Sequence, residues 1–113
     1  MIHITIYQDI QRKCVGFLAD GHAGYADAGQ DIVCAAASVL MINTINAIER
    51  YADDQADLQA DEESGRMEYR IQGDPSYEAE LLLNAMILGL QDMTDDNSYS
   101  EYIYVDFEEV QQS

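Results

Sequence analysis

A chain of 113 residues that is 48% hydrophobic, with a single proline, holds enough apolar material for one packed domain spanning 1–113 and little that would form disordered linkers. Twenty-two Asp and Glu against five Lys and Arg give a net charge of −17. Such a surface repels phosphate backbones and anionic lipids, so neither direct nucleic-acid binding nor membrane association is expected; it suits cationic partners, basic peptides first, or serves solubility alone.

In chain order, Met1 to Tyr7 alternates, with Ile2, Ile4 and Ile6 opposite His3, Thr5 and Tyr7, which predicts a half-buried strand. With no basic region and no small-residue cleavage site, it reads as a strand rather than a signal peptide. Gln8 to Lys13 is a polar connection to a second strand, Cys14 to Ala19, which places Val15, Phe17 and Ala19 on one side. Asp20 to Gln30 carries Gly21, Gly24 and Gly29 and reads as a loop.

Asp31 to Tyr51 predicts a long helix, with Val33, Ala36, Ala37, Leu40, Met41, Thr44 and Ile48 at helical spacing. Ile32, Ile42 and Ile45 widen its apolar surface almost all round, as in a helix buried in a core or at a subunit interface. Its most apolar run, Ile32 to Ile42, is broken at Asn43 and Asn46 and reads as too short for a membrane span.

Asp57 to Asp61 reads as a short strand, turning at Glu63-Ser64-Gly65. Met67, Tyr69 and Ile71 then alternate with Glu68, Arg70 and Gln72 in a clear half-exposed strand. Gly73-Asp74-Pro75 opens a second helix, with Asp74 as its N-cap and Pro75 in the first turn. Its stripe is Leu82, Leu83, Met86, Ile87, Leu90 and Met93, and Asp95 to Ser98 ends it. Tyr99 to Phe107 is the last strand. The order β-β-α-β-β-α-β predicts an α+β fold: a mostly antiparallel sheet of about five strands with two helices packed on one face.

Two cysteines, Cys14 and Cys34, make no disulfide framework, so a reducing cytoplasm is expected. The chemically informative stretch runs from Gly21-His22 to Cys34 and Ser38. A glycine loop carrying a His feeds a helix carrying a Cys. If Asp31 caps that helix, Cys34 lies in its first turn, where free N–H groups and the positive dipole end favour thiolate and can hold an oxyanion. A Cys beside a His is an activated nucleophile. The plainer readings are a packing Cys in an Ala-rich helix and a solvated loop His.

Several neighbours stay ambiguous. Asp31 caps the helix, orients His22 or binds a cationic part of a substrate; beside Cys34 its charge would raise the thiol pKa. Ser38 lies one turn after Cys34 on the same face and bonds near the site or back to its own helix. Tyr25 is the one large side chain of the loop and is placed to lie over a bound apolar peptide. A zinc site built from His3, Cys14, His22 and Cys34 lacks the short ligand spacing of structural zinc sites. No metal or other cofactor is expected.

The stretches Gly21-His22-Ala23-Gly24-Tyr25-Ala26 and Gly29-Gln30-Asp31-Ile32-Val33-Cys34-Ala35-Ala36-Ala37-Ser38 resemble the ribosomal-processing cysteine proteases, Prp. Length and element order match along essentially the whole chain. The resemblance implies a cysteine endopeptidase that removes the N-terminal extension of a large-subunit ribosomal protein. It would cut after an aromatic residue in a short apolar motif. It also implies Cys34 as nucleophile, His22 as general base, the glycine loop as a mobile cover over the peptide, and a homodimer. The alternatives from other classes are a non-catalytic ribosome-associated protein that holds a basic peptide tail, and a small thiol hydrolase or acyl transferase using the same pair.

Overall fold

The computed structural model describes residues 1–21 and 28–112, with side chains from residue 31 onward in the second segment. Strands β1 (Ile2–Gln8) and β2 (Cys14–Asp20) are followed by helix α1 (Ala28–Tyr51). Strands β3 (Ala56–Asp61) and β4 (Arg66–Ile71) precede helix α2 (Tyr77–Asp95) and strand β5 (Ile103–Glu109). The element order is the expected one.

The strands form one sheet in the order β3-β4-β2-β1-β5. β1–β2, β2–β4 and β3–β4 pair antiparallel and β1–β5 pairs parallel, so the sheet is mixed but mostly antiparallel. Each helix links two strands that run the same way without being neighbours, α1 from β2 to β3 and α2 from β4 to β5. β2 also passes so close to β4 that a Cβ at Gly16 would stand 2.0 Å from the Tyr69 carbonyl oxygen, which only glycine avoids.

Both helices pack on the same face. Ile2, Ile4 and Ile6 of β1, Phe17 and Ala19 of β2, and Tyr69 and Ile71 of β4 share one core with Val33, Ala37, Met41 and Ile48 of α1 and Leu83, Met86 and Leu90 of α2. Burying each large apolar side chain contributes roughly 1.5–3 kcal/mol. The other face is polar, and on it His3 Nε2 pairs with Asp106 Oδ1 at 3.1 Å.

The first helix differs from expectation at its start. It begins at Ala28, three residues ahead of Asp31, so Asp31 lies in its first turn rather than capping it. Gly29 made this stretch read as loop, but Ala28 and Gln30 are good helix formers and Asp31 complements the positive dipole end. Moreover, contrary to the expectation from Asn43 and Asn46, Asp31–Tyr51 is long and apolar enough to cross a membrane by length and composition. In this fold its stripe of Val33, Ala37, Met41, Ile45 and Ile48 is buried in the core.

The second helix is capped by Ser76, not Asp74. Ser76 Oγ accepts from Ala79 N at 3.1 Å, and Asp54 fixes Ser76 by accepting from its N and Oγ. Asp74 instead pairs with Lys13 at 3.1 Å. The last strand begins at Ile103 rather than Tyr99. Tyr99 N and Ser100 N donate to Asp96 O, and Tyr102 N to Tyr99 O, so this stretch turns before it can extend. Past β5, Gln112 Nε2 donates to Ile71 O and Gly73 O, both at 2.7 Å, and Arg70 Nη2 to Gln111 O at 2.6 Å. The C-terminal end is thereby tied across the sheet to β4.

Candidate active site

Cys34 is the seventh residue of α1 and sits in its second turn. An α-helix leaves only its first four N–H groups free, so the Cys34 N–H belongs to the helical ladder and is not an oxyanion donor. This corrects the expectation tied to an Asp31 cap. The Cys34 side chain is half-buried and packs against the edge of the core. Cys14 is fully buried at the start of β2 and its Sγ donates to Gly16 O at 3.5 Å. Both cysteines are free. Of the two, Cys34 is the one a reagent or substrate can reach.

Burial pushes the Cys34 thiol up from its ordinary value. The Met1 ammonium opposes that shift, and the Asp31 carboxylate adds to it. The effect of Asp31 matches the sign expected from its sequence position. Burial pushes the Cys14 thiol up to about 11, so Cys14 is almost wholly protonated at neutral pH. A nucleophilic thiol needs a base or a positive field to expose thiolate. Among the described residues, Met1 supplies a favourable charge.

Gly21 directly follows β2, just ahead of the expected position of the His22 loop in sequence. Its N–H donates to Gly65 O at 3.1 Å, tying the end of β2 to the β3–β4 turn. A Cβ there would stand 3.0 Å from Cγ1 of Ile2. A side chain at Gly21 would thus crowd Ile2 and ask it to shift by a few tenths of an ångström. Ser38 follows Cys34 by one turn and is also half-buried, so the two share a strip of α1. Asp31, one turn before Cys34, is exposed.

His22 and Tyr25, and with them the expected cover loop, lie outside the described residues. Among the described residues, Asp31, Cys34 and Ser38 follow one another along α1, and Gly21, next after β2, lies against Ile2 and Gly65. The zinc reading is not supported, because His3 faces Asp106 on the opposite side of the sheet and Cys14 is turned to Gly16. No group of three His, Cys, Asp or Glu among the described residues is placed to hold a metal ion. The contribution missed in the sequence is Met1. Nothing in its local pattern marks it, since its link to Cys34 arises only when β1 and α1 pack.

Comparison with known proteins spans nearly the whole chain. The family model for cysteine protease Prp matches residues 1–104. The ribosomal processing cysteine protease Prp of Staphylococcus aureus is 32% identical over 107 residues, covering 95% of this chain and 99% of the relative. The crystal structure of the ribosomal processing protease Prp of S. aureus with a substrate peptide superposes with a TM-score of 0.88 at 30% identity, covering 96% of this chain and 100% of that one. With a covalently linked product peptide the same protease gives a TM-score of 0.83, again at 30% identity and with the same coverage.

Proposed function

The chain belongs to the cysteine protease Prp family, and from that premise we propose that it cleaves a ribosomal protein precursor with Cys34 as nucleophile and His22 as general base. The observation that carries this reading is the family match over residues 1–104 combined with the contrast between a reachable Cys34 and a sealed Cys14.

In this reading His22 takes the Cys34 thiol proton and Sγ attacks the scissile carbonyl carbon. The tetrahedral intermediate collapses as the C–N bond breaks, and His22 returns the proton to the departing amine. The acyl group stays on Cys34 as a thioester, which water then hydrolyses to free the thiol. The product peptide covalently linked to the S. aureus relative supports this two-stage chemistry. The half-burial of Cys34 raises the cost of its thiolate, which gives His22 its role.

The substrate in this reading is the N-terminal extension of a large-subunit ribosomal protein, cut after an aromatic residue in a short apolar motif. The name of the S. aureus relative and the net charge of −17, suited to a basic ribosomal protein, support it. The free cysteines suit a cytoplasmic site of action. The working unit is a homodimer. Ile32, Val39 and Ile42 on the outer face of α1, and Leu81 and Leu88 on that of α2, each stand about half or more exposed, an apolar surface that asks for cover.

The test is direct. The protein is incubated with the extended ribosomal protein of its own genome and the new N-terminus is sequenced. A single cut that removes the extension, lost in Cys34→Ala with the fold intact, is expected. Turnover retained by purified Cys34→Ala would overturn the assignment.

A further inference from the structure

The inner face of the sheet is not wholly covered by the two helices. Between the C-terminal half of α1 and the edge strand β3 lies an open groove of about 530 Å³. Ile45 and Ile48 from α1, Tyr69 from β4 and Leu58 from β3 lie at its base; the first three are buried, so Leu58 is the apolar side chain that stands open in a mostly polar lining. Leu58 sits opposite Tyr69 on the inner face yet is 50% exposed.

The rim is acidic. Asp54 is committed to the start of α2 through Ser76. Glu49 and Asp53 are exposed, and neither has a cationic partner among the described residues. Tyr69 supplies an independent sign. Its ring is buried and lines the groove, while its hydroxyl, with no protein partner among the described residues, is open to solvent there. Burial first, then the nearby Asp54 and Glu49 carboxylates, push that hydroxyl up to about 12, so it stays protonated beside the acidic rim. Finally, β3 pairs with β4 on one side and with no described strand on the other, so its outer edge is open to a further strand.

We propose that the α1–β3 groove is an exosite that takes an extended, basic stretch of the protein substrate as an added strand on β3, apart from the cut at Cys34. The backbone of that stretch pairs with the β3 edge, an apolar side chain seats on Leu58 and Ile45, and Lys or Arg meets Glu49 and Asp53. A backbone carbonyl of the guest accepts from the Tyr69 hydroxyl in place of solvent. A second copy of this chain is disfavoured as occupant, because it would bring another −17 to a rim that is already acidic.

The exosite rests on the protease reading and adds a length rule to it. Glu49 follows Cys34 by 15 positions on α1, about 22 Å at about 1.5 Å per residue. An extended guest rising about 3.3 Å per residue spans that in about seven residues. Basic residues about seven or more positions from the scissile bond should therefore tighten binding, and those next to the bond should not.

Three substrates test this: a short peptide across the cut, the same peptide with a lysine-bearing tail of about ten residues, and one with a neutral tail of the same length. For the unaltered protein, KM should be about tenfold lower with the basic tail than with the neutral one, at equal kcat, because the second contact is intramolecular. Glu49→Gln combined with Asp53→Asn, and separately Leu58→Asp, should erase that advantage and leave short-peptide cleavage unchanged. Tyr69→Phe, which keeps the ring, should erase part of it.

Equal KM for both tails, or an advantage that survives these variants, overturns the exosite. So does a Leu58→Asp variant that sediments as a smaller species while keeping the preference for the basic tail, since the groove would then hold a second copy. If the unaltered protein cuts none of the three peptides, the protease reading fails by itself. The groove is then judged by anisotropy of a fluorescein-labelled lysine-tail peptide on Cys34→Ala. Binding that is lost with Glu49→Gln and Asp53→Asn upholds the groove, and absent binding overturns it.

Discussion

Gly21 stands against Ile2, so close that a Cβ at Gly21 would lie 3.0 Å from Ile2 Cγ1. Ile2 is buried and its N–H is held by Tyr102 O at 2.8 Å, so it has little freedom to yield. Overpacking of this kind costs about 1–3 kcal/mol. Gly21→Ala should lower stability to urea by that amount. It should also lower turnover at temperatures where the protein stays folded, since the strain falls between the β2 end and the β1 start beside the site. Wild-type urea stability and turnover together would show that Ile2 accommodates the methyl group.

Two opposite shifts in thiol reactivity follow from the charges around Cys34. Asp31 raises the Cys34 pKa, so Asp31→Asn should lower it and speed alkylation at neutral pH. The Met1 ammonium lowers it, so a short Gly-Ser extension ahead of Met1, which carries the ammonium away, should slow alkylation. Iodoacetamide rates against pH read both. Cys14, buried and with its thiol at about 11, should stay unmodified throughout. Shifts of the same sign in both variants would show that neither charge acts on the thiol in this way.

Val39 is 67% exposed on the outer face of α1, one helical heptad from Ile32 and close in sequence to Ile42. If this face closes a homodimer, Val39→Asp places two carboxylates in one apolar interface and should weaken association at least tenfold, since an unpaired buried charge costs several kcal/mol. Sedimentation across micromolar concentrations distinguishes the outcomes. A wild-type monomer, or a dimer indifferent to Val39→Asp, would remove α1 as the interface.

Ser76 links two elements: its Oγ caps α2 at Ala79 N and is held by Asp54 from the α1–β3 connection. Ser76→Ala should cost about 1 kcal/mol or somewhat more, the usual loss for a cap plus the stranded Asp54 carboxylate. Asp74→Ala should cost little, since Asp74 is exposed and holds only the Lys13 pair. Urea midpoints of the two variants should therefore differ clearly, and the reverse ranking would restore Asp74 as the cap.

The strands and helices were legible because alternation and helical spacing are local properties of the chain. Ile2, Ile4 and Ile6 point inward, and so do Leu83, Met86 and Leu90, as their spacing required. The ends were less legible. Asp74 and Ser76 are equally good caps by residue type, and Asp54, more than twenty positions away, holds the one that is used. Ala28-Gly29-Gln30 read as loop because glycine outweighed its neighbours, yet packing of the helix that follows carries the turn backwards.

Of the site, the sequence by itself determined the residue types, the one-turn spacing of Asp31, Cys34 and Ser38 on either side of the thiol, and the acidity that invites a basic partner. Cys34 was already the expected nucleophile from its place after the glycine loop; the tertiary structure added the contrast in burial, Cys14 sealed and Cys34 half-buried. It also decided which charges modify the effect of burial on the thiol. Coulomb forces follow distance in space, not along the chain, so Met1 came to act on Cys34 only through the packing of β1 against α1. The groove beside β3 is of the same kind: Glu49, Leu58 and Tyr69 share no motif, and they meet because α1 leaves the sheet edge uncovered.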